Sequence, residues 1–243
     1  MNLSISNNYE ELSCRAANDL LNFIEGKEDP LLCMASGDSP KGLYKELITQ
    51  VKETGIDISG WKFLSLDEWA GMNGHDEGSC RFHLNNDLFG PLNVAERNII
   101  FFDGKATNAE DECKRIENFI NDHRGIDVAV IGLGINGHVG MNEPGTSENS
   151  RTHVAEIAST TRAVGQKYFT SEQSLTHGLT LGIASLLDAG DIMLIVSGNK
   201  KAAAVQIMIE EEISTQLPAS LLRKHKSFHV YLDSAAASQL KEK

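Results

Sequence analysis

The sequence predicts an α/β fold: a single domain with a mostly parallel open sheet and helices on both faces, in a doubly wound, modified Rossmann-like arrangement. Strand-like and helix-like segments alternate along the chain. The strand-like runs are short and continuously apolar, which is typical of parallel strands buried on both faces. With 243 residues, 41% of them hydrophobic, the chain is long enough for one large core. We therefore expect one domain over residues 1–243.

The first half of the chain begins with a helix over residues 9–24, which Gly26 ends. Two strands follow, 31-LLCMAS-36 and 61-WKFLSL-66. Between them Ser39 and Pro40 have the residue types of an N-cap and a first helical position, so a second helix is expected up to Val51. A third helix is expected over residues 79–88.

The second half repeats this alternation. A helix over residues 108–121 should end just before Gly125. The runs 126-IDVAVIG-132 and 191-DIMLIVS-197 have the composition of central parallel strands. A helix over residues 199–212 and a last strand, 228-FHVYL-232, complete the pattern.

Composition restricts the location and the partners. The 34 acidic residues outnumber the 22 basic ones, and a net charge of −12 disfavours nucleic acid as a partner. No signal peptide and no apolar run of about 18 residues is present, so neither secretion nor a membrane span is expected. None of the four cysteines forms a C-x-x-C pair, which fits a reducing cytoplasm. The pattern does not distinguish a monomer from a homo-oligomer.

Polar residues follow four of the expected strands directly. They lie in SGDSP (36–40), SLDEW (65–69), GLGINGH (132–138) and VSGNKK (196–201). In open parallel sheets, ligands bind beyond the carboxyl ends of the strands. We therefore expect these four segments to be the edges of one pocket.

The segment 126-IDVAVIGLGINGHVGMNEPGTS-147 allows three interpretations: a dinucleotide loop, a metal site or an acid–base site. Its GLGING matches G-x-G-x-x-G, but that fingerprint needs a helix opening at the glycines. Gly140, Pro144 and Gly145 disfavour a long helix here. The glycines more simply allow a sharp turn and a close approach to a small ligand.

His138 and Glu143 favour the acid–base interpretation. A carboxylate that accepts from one imidazole nitrogen fixes the tautomer and leaves the other nitrogen for proton transfer. A lone histidine is also common as a structural residue. Metal-binding spacings such as H-x-H and H-E-x-x-H are absent, so we expect no metal and no cofactor.

Asp67 and Glu68 follow the strand 61–66. Adjacent residues on an extended chain point to opposite sides, so we expect one of them to face the pocket. A carboxylate in a partly desolvated cleft has a raised pKa, which suits a general base. A solvated turn would carry the same two residue types.

The segment SGDSPKG at 36–42 offers free N–H groups and the positive end of a helix dipole, which together bind phosphate. It lacks the G-x-x-x-x-G-K-[ST] pattern of a P-loop. Simple helix capping by Ser39 would also explain it. Lys200 and Lys201, just after the strand 191–197, could supply the countercharge.

Together these motifs resemble one family. The segments SGDSPKGLYKEL, SLDEWAG, GLGINGHVGMNEPG, SRTHVAEIASTTR and SGNKKA are similar in order and spacing to the glucosamine-6-phosphate deaminase/isomerase family, over about residues 10–235. The related 6-phosphogluconolactonases share the glycine-rich turn and the histidine but typically lack N-E-P. SLDEW, EGSCRFHL and LPASLL resemble the galactosamine-6-phosphate isomerase branch more closely.

The resemblance implies an amino-hexose 6-phosphate as the small-molecule substrate, converted into a ketohexose 6-phosphate and ammonia. Asp67 matches the base that moves the proton between C2 and C1, His138 the ring-opening acid–base residue, and Glu143 its carboxylate partner. The phosphate-binding positions are matched by Ser36, Gly37, Ser39 and Lys201, and by Lys167 where many members have arginine.

Three departures qualify the resemblance. Asn136 stands where some members have aspartate, although it can still hydrogen-bond the histidine. Asp38 places a negative charge inside the expected phosphate loop, where it would repel the ligand unless it points away. His153 and Ala155 replace basic residues of an allosteric anion site that some family members have, so the resemblance does not imply that regulation here.

Three other functions remain open: a sugar-lactone hydrolase on the same fold, a non-catalytic sugar-phosphate sensor, and a nicotinamide oxidoreductase. The N-E-P segment favours the deaminase over the lactonase. A sensor would need a DNA-binding extension or a decayed site, and Asp67, His138 and Glu143 are all present. The oxidoreductase would need the helix that GLGING lacks.

Overall fold

Seven parallel strands form the main sheet of the computed structural model, which describes residues 1–241. These strands are β1 Asn2–Ser6, β2 Leu31–Met34, β3 Lys62–Ser65, β5 Ile99–Ile100, β6 Val128–Gly132, β9 Asp191–Val196 and β10 Phe228–Asp233. Their order across the sheet is β1-β10-β9-β6-β2-β3-β5. A second, antiparallel sheet has the order β4-β8-β7, with β4 Asp67–Trp69, β7 His153–Glu156 and β8 His177–Thr180.

The helices are α1 Tyr9–Phe23, α2 Lys41–Thr54, α3 Cys80–Leu84, α4 Gly90–Leu92, α5 Ala109–Asp122, α6 Ser159–Gly165, α7 Ile183–Leu187, α8 Ala202–Glu210 and α9 Pro218–Leu221. Of these, α1, α2 and α5 begin and end close to the expected residues. A π-helical turn, Asn85–Phe89, joins α3 to α4, and short 3₁₀ turns lie at Glu96–Asn98, Gln166–Tyr168, Asn199–Lys201 and Leu222–Lys224. None of the helices within residues 1–241 is long and apolar enough to cross a bilayer.

Apolar residues on the two faces of the main sheet belong to two separate cores. Leu32 and Met34 of β2 pack into one core with α1 and α2, whereas Leu31 and Cys33 pack into the other with α5 and α8. Successive side chains on a strand point to opposite faces, so a continuously apolar strand serves both cores. This confirms the predicted α/β class with helices on both faces.

The start of α2 corrects one expectation. Pro40, not Ser39, occupies the N-cap position, and no side chain caps the helix. Tyr9 of α1 holds the turn that precedes α2, because its hydroxyl donates to the carbonyl oxygens of Asp38 and Ser39 at 3.0 and 2.9 Å. That hydroxyl also accepts from the Gly42 N–H at 2.7 Å.

Other boundaries also differ. The expected helix 199–212 begins as the 3₁₀ turn and continues as α8 only to Glu210. The expected helix 79–88 is capped by Ser79, whose hydroxyl accepts from Phe82 N–H at 3.0 Å, and then widens into the π turn. The two edge strands of the main sheet, β1 and β5, were not predicted, and neither were the antiparallel sheet and the helices α4, α6, α7 and α9.

Strand order locates the place where a ligand would bind. From β2 the chain adds β3 and β5 on one side, and then returns to place β6 on the other side of β2. The direction of winding therefore reverses between β2 and β6. In doubly wound sheets the ligand crevice lies beyond the strand ends at such a reversal.

Candidate active site

A cavity of about 390 Å³ opens at that reversal, at the carboxyl ends of the strands. All four of the predicted polar segments line it. They contribute Ser36, Gly37, Asp38, Ser39 and Pro40; Asp67 and Trp69; Gly132, Leu133, Gly134, Ile135 and His138; and Ser197, Gly198, Asn199, Lys200 and Lys201. The prediction of one pocket with these four edges is confirmed.

Asp67 lies where the chain leaves one sheet for the other. Leu66, just before it, donates its N–H to Met34 O at 3.1 Å in the main sheet and accepts from Leu181 N–H at 3.0 Å. Asp67 then pairs with Thr180 in the antiparallel sheet. Because backbone on both sides is fixed, the Asp67 carboxyl is held at the cavity wall, where it is only 9% exposed.

Burial gives Asp67 the properties of a base. Desolvation raises the pKa of its carboxyl to about 6, and a hydrogen bond with the Cys80 side chain opposes part of that rise. Burial also raises the pKa of the Cys80 thiol well above its usual value, so the thiol stays protonated and donates. A carboxylate with a pKa near 6 is mostly ionised at neutral pH and still accepts a proton readily.

Glu68 points away from the cavity, as the extended-chain argument predicts for one of the two carboxylates. It is fully buried, and its oxygens accept from three backbone N–H groups, those of Trp69, Cys80 and Arg81, at 2.9, 2.9 and 3.0 Å. It thereby fixes the start of α3. Burial nevertheless raises the pKa of Glu68, to about 7.

His138 is held through Asn136 and not directly through Glu143. Its Nδ1 lies 2.7 Å from Asn136 Oδ1, and Asn136 Nδ2 donates to Glu143 Oε2 at 2.8 Å. Glu143 Oε2 itself is 3.8 Å from Nδ1, beyond a hydrogen bond. The order is therefore carboxylate, amide, imidazole, which corrects the expectation that Glu143 contacts the histidine directly.

This order determines the tautomer of His138. Asn136 uses its N–H₂ on the carboxylate, so its oxygen must accept, and Nδ1 must carry the hydrogen. Among the described residues Nε2 has no hydrogen-bond partner, and the ring lines the cavity. Burial lowers the pKa of His138, and the Lys201 charge adds to this against the pull of Glu143. The imidazole is thus neutral, with a free lone pair.

Two further contacts support this arrangement. The Thr161 hydroxyl on α6 lies 3.1 Å from His138 Nδ1. The Ala158 N–H, just before α6, donates to Glu143 Oε1 at 3.3 Å. Thr161 was not among the predicted site residues, although the quoted motif SRTHVAEIASTTR contains it.

The glycines of GLGING form the turn against which the His138 ring packs. A Cβ on Gly134 would lie 2.2 Å from the His138 ring, so only glycine lets the ring pack against this turn. Gly137 has a φ of +83°, which glycine adopts without strain. No helix forms between residues 133 and 152, so the dinucleotide fingerprint lacks its required helix, as expected.

Another part of the cavity lining is cationic, and the part with Lys167 and Lys201 is called here its cationic end. Lys201 Nζ donates to Leu133 O at 2.6 Å and is half-buried, whereas Lys200 is exposed at the same edge. Burial, together with the nearby Lys167 charge, lowers the pKa of Lys201 to about 8. Two lysines whose charges repel across one space form a ready site for an anion. Ser36, Gly37 and Ser39 line the same end.

The Asp38 carboxylate does not point away from the cavity, which Asp38 lines. Asp38 Oδ2 lies 2.5 Å from Lys167 Nζ, and Oδ1 lies 3.5 Å from Lys41 Nζ. Partial burial raises the pKa of Asp38, but the two lysines outweigh this and hold that pKa below its usual value. Of the predicted phosphate-binding cations, Lys167 therefore already has an anionic partner.

Metal ligation has no counterpart in the described chain. Within residues 1–241 no group of three or more histidine, cysteine, aspartate or glutamate side chains is arranged to hold a metal ion.

Comparison with known proteins identifies relatives along the full chain. Residues 6–231 match the family model of glucosamine-6-phosphate isomerases/6-phosphogluconolactonase. Curated relatives named glucosamine-6-phosphate deaminase occur in Shouchella clausii, at 37% identity over 100% of this chain and 99% of the relative, and in Clostridium perfringens, at 35% over 99% and 100%.

Solved structures extend the comparison. A monomeric glucosamine-6-phosphate deaminase superposes with a TM-score of 0.94 at 36% identity, covering 98% of this chain and 99% of the other. A 6-phosphogluconolactonase from Thermotoga maritima reaches 0.76 at 18% identity, over 96% and 98%, a likeness that concerns the fold alone. The chain therefore belongs to the glucosamine-6-phosphate isomerase/6-phosphogluconolactonase family.

Proposed function

We propose that this chain is an amino-hexose-6-phosphate deaminase, which converts glucosamine 6-phosphate or its C4 epimer galactosamine 6-phosphate into the ketohexose 6-phosphate and ammonia. One observation supports this most strongly. A buried carboxyl with a pKa near 6 and a neutral imidazole with a free Nε2 line the same cavity, and Lys167 and Lys201 line its cationic end. The curated relatives named glucosamine-6-phosphate deaminase support the same reaction.

The proposed reaction begins with ring opening. The His138 Nε2 lone pair takes the proton from the anomeric hydroxyl, and the ring oxygen receives a proton as its bond to C1 breaks. Nδ1–H stays hydrogen-bonded to Asn136 Oδ1 throughout, which holds the ring in one orientation. The imidazolium formed in between is stabilised through the amide by Glu143.

Proton transfer between carbons is assigned to Asp67. Its carboxylate removes the proton from C2 of the open-chain aldehyde while the aldehyde oxygen takes a proton from water, which leaves an enol bearing the amine. The same carboxyl returns the proton to C1, so that C2 becomes an iminium carbon. Water adds to C2, and the amine leaves as ammonia. Every step uses a proton already present, so we propose that neither a metal nor a nucleotide takes part.

Phosphate binding is assigned to Ser36, Gly37, Ser39, Lys167 and Lys201. The serine and glycine backbone lies just before α2, where free N–H groups and the helix dipole favour an anion. The lysines add charge. Four free thiols fit a reducing compartment, and we propose that this reaction takes place in the cytoplasm.

Ammonia release from glucosamine 6-phosphate and galactosamine 6-phosphate, assayed side by side, tests this proposal. Release from either sugar supports it, and the ratio of the two kcat/KM values identifies the C4 configuration. Hydrolysis of 6-phosphogluconolactone by the same preparation, with no ammonia from either amino sugar, would replace the proposal with a lactonase.

A further inference from the structure

Asp38 and Lys167 connect two walls of the cavity that are far apart in sequence. Asp38 lies in the loop before α2, and Lys167 lies in the 3₁₀ turn after α6. Their charged atoms are 2.5 Å apart. The neighbouring Tyr168 reaches the same loop, because its hydroxyl would lie 3.5 Å from a Cβ on Gly37. The contact therefore spans the phosphate end of the cavity.

The two lysines of this end are not equivalent. Lys201 Nζ contacts a neutral carbonyl oxygen, that of Leu133, so its charge is not compensated there. Lys167 Nζ is compensated by the Asp38 carboxylate and also lies over the Tyr168 ring, 4.7 Å from its centre. Of these two lysines, Lys201 is therefore available to an incoming phosphate, whereas Lys167 already binds an anion.

Both partners of the contact are accessible to a competing anion. The Asp38 side chain is 60% exposed and that of Lys167 is 48% exposed. Exposed ion pairs of this kind contribute little free energy, whereas the contact of an ammonium with phosphate in a partly enclosed site contributes more. Displacement of the carboxylate by a phosphate is therefore energetically feasible.

We propose that Asp38 is an internal competitor for the phosphate group: its carboxylate occupies Lys167 in the free protein, and the substrate's phosphate binds by displacing it. This inference rests on the proposed function for the identity of the substrate. Asp38 then lowers the affinity of the site, and it returns to Lys167 when the product leaves.

Binding of inorganic phosphate, followed by calorimetry at low ionic strength, tests the inference without using catalysis. Asp38→Asn should tighten phosphate binding about two- to fivefold, the range expected for loss of an exposed ion pair. Lys167→Met should weaken it. In the Lys167→Met background, Asp38→Asn should then have no effect, because the contact that it releases is already absent.

Asp87→Asn is the matched control, since it removes the same charge from a carboxylate that lies 3.7 Å from Lys41. It should leave phosphate affinity unchanged. Weaker binding by Asp38→Asn would overturn the inference, because Asp38 would then organise Lys167 for the ligand. If Asp38→Asn tightened phosphate binding equally with and without Lys167, the effect would be general charge repulsion, and the inference would be wrong. It would also be wrong if none of the proteins bound phosphate.

Failure of the proposed function would look different. A protein that releases no ammonia from either amino sugar, yet shows the expected coupling between Asp38 and Lys167 in phosphate binding, would retain this inference and lose the reaction. Ammonia release without that coupling would support the proposed reaction and contradict this inference.

Discussion

The two ends of the cavity use opposite electrostatic environments. At the end with Asp67 and His138, burial disfavours charge, raising the pKa of the carboxyl to about 6 and lowering that of the imidazole. At the end with Lys167 and Lys201, charges are exposed or half-buried, and one is already paired with Asp38. Desolvation suits groups that must exchange protons, whereas accessible charge suits a group that must bind and release an anion.

The largest effect is expected from Asp67→Asn. The amide has the same shape but no basicity, so kcat for ammonia release should fall by about 10²–10⁴-fold while sugar-phosphate binding is retained. Steady-state kinetics together with C2 proton exchange into deuterated water would measure this. Glu68→Gln is the matched control, since that neighbour faces α3, and its folded fraction should keep a near-normal kcat. Near-normal turnover by Asp67→Asn would exclude Asp67 as the base.

A smaller effect, on KM, is expected from the cationic end. Lys201→Ala removes a charged donor to the phosphate, which typically costs about 1.5–3 kcal/mol, or roughly 10- to 150-fold in affinity. Its kcat should change little. Lys200→Ala, one residue earlier and exposed, should be mild. A severe Lys200→Ala with a silent Lys201→Ala would show that the assignment is wrong by one residue.

The smallest expected effect is a shift in the pKa of His138, caused by Asn136→Asp. A carboxylate 2.7 Å from Nδ1 favours the imidazolium, so the pKa of His138 should rise, on the order of 1 unit. NMR titration of the His138 ring would measure this, with its signals assigned from His138→Gln. An unchanged pKa and tautomer would mean that Asn136 does not set the protonation of the histidine.

How far the sequence predicts this molecule depends on the range of the interactions involved. The five central strands of the main sheet and the shared pocket followed from local apolar runs and from polar residues at their ends, because parallel strands bring their carboxyl ends to one edge. The antiparallel sheet could not be predicted in this way. Its strands have three or four residues, and β4 pairs with a strand more than 100 residues away, as in Asp67 with Thr180.

The segments that line the cavity were predicted more completely than the contacts within it. The chain order does not show that Asn136 lies between His138 and Glu143, since this depends on the turn that Gly134 and Gly137 allow. Likewise, Asp38 was expected to point away or to repel the ligand, whereas it contacts Lys167 from a distant segment. Such contacts depend on tertiary packing, which a linear pattern does not contain.

The pH dependence of kcat/KM in the wild type and in Lys201→Ala tests the separation of the two ends most directly. Asp67 must be ionised to act, so activity should fall as the pH drops through about 6, and Lys201 must be protonated to bind phosphate, so activity should fall again above about 8. The substrate's own ionisations are common to both proteins. We expect Lys201→Ala to lose the alkaline decline in kcat/KM and to keep the acid one. If the alkaline decline persists in Lys201→Ala, or if the acid decline disappears as well, the two ends of the cavity do not have these separate roles.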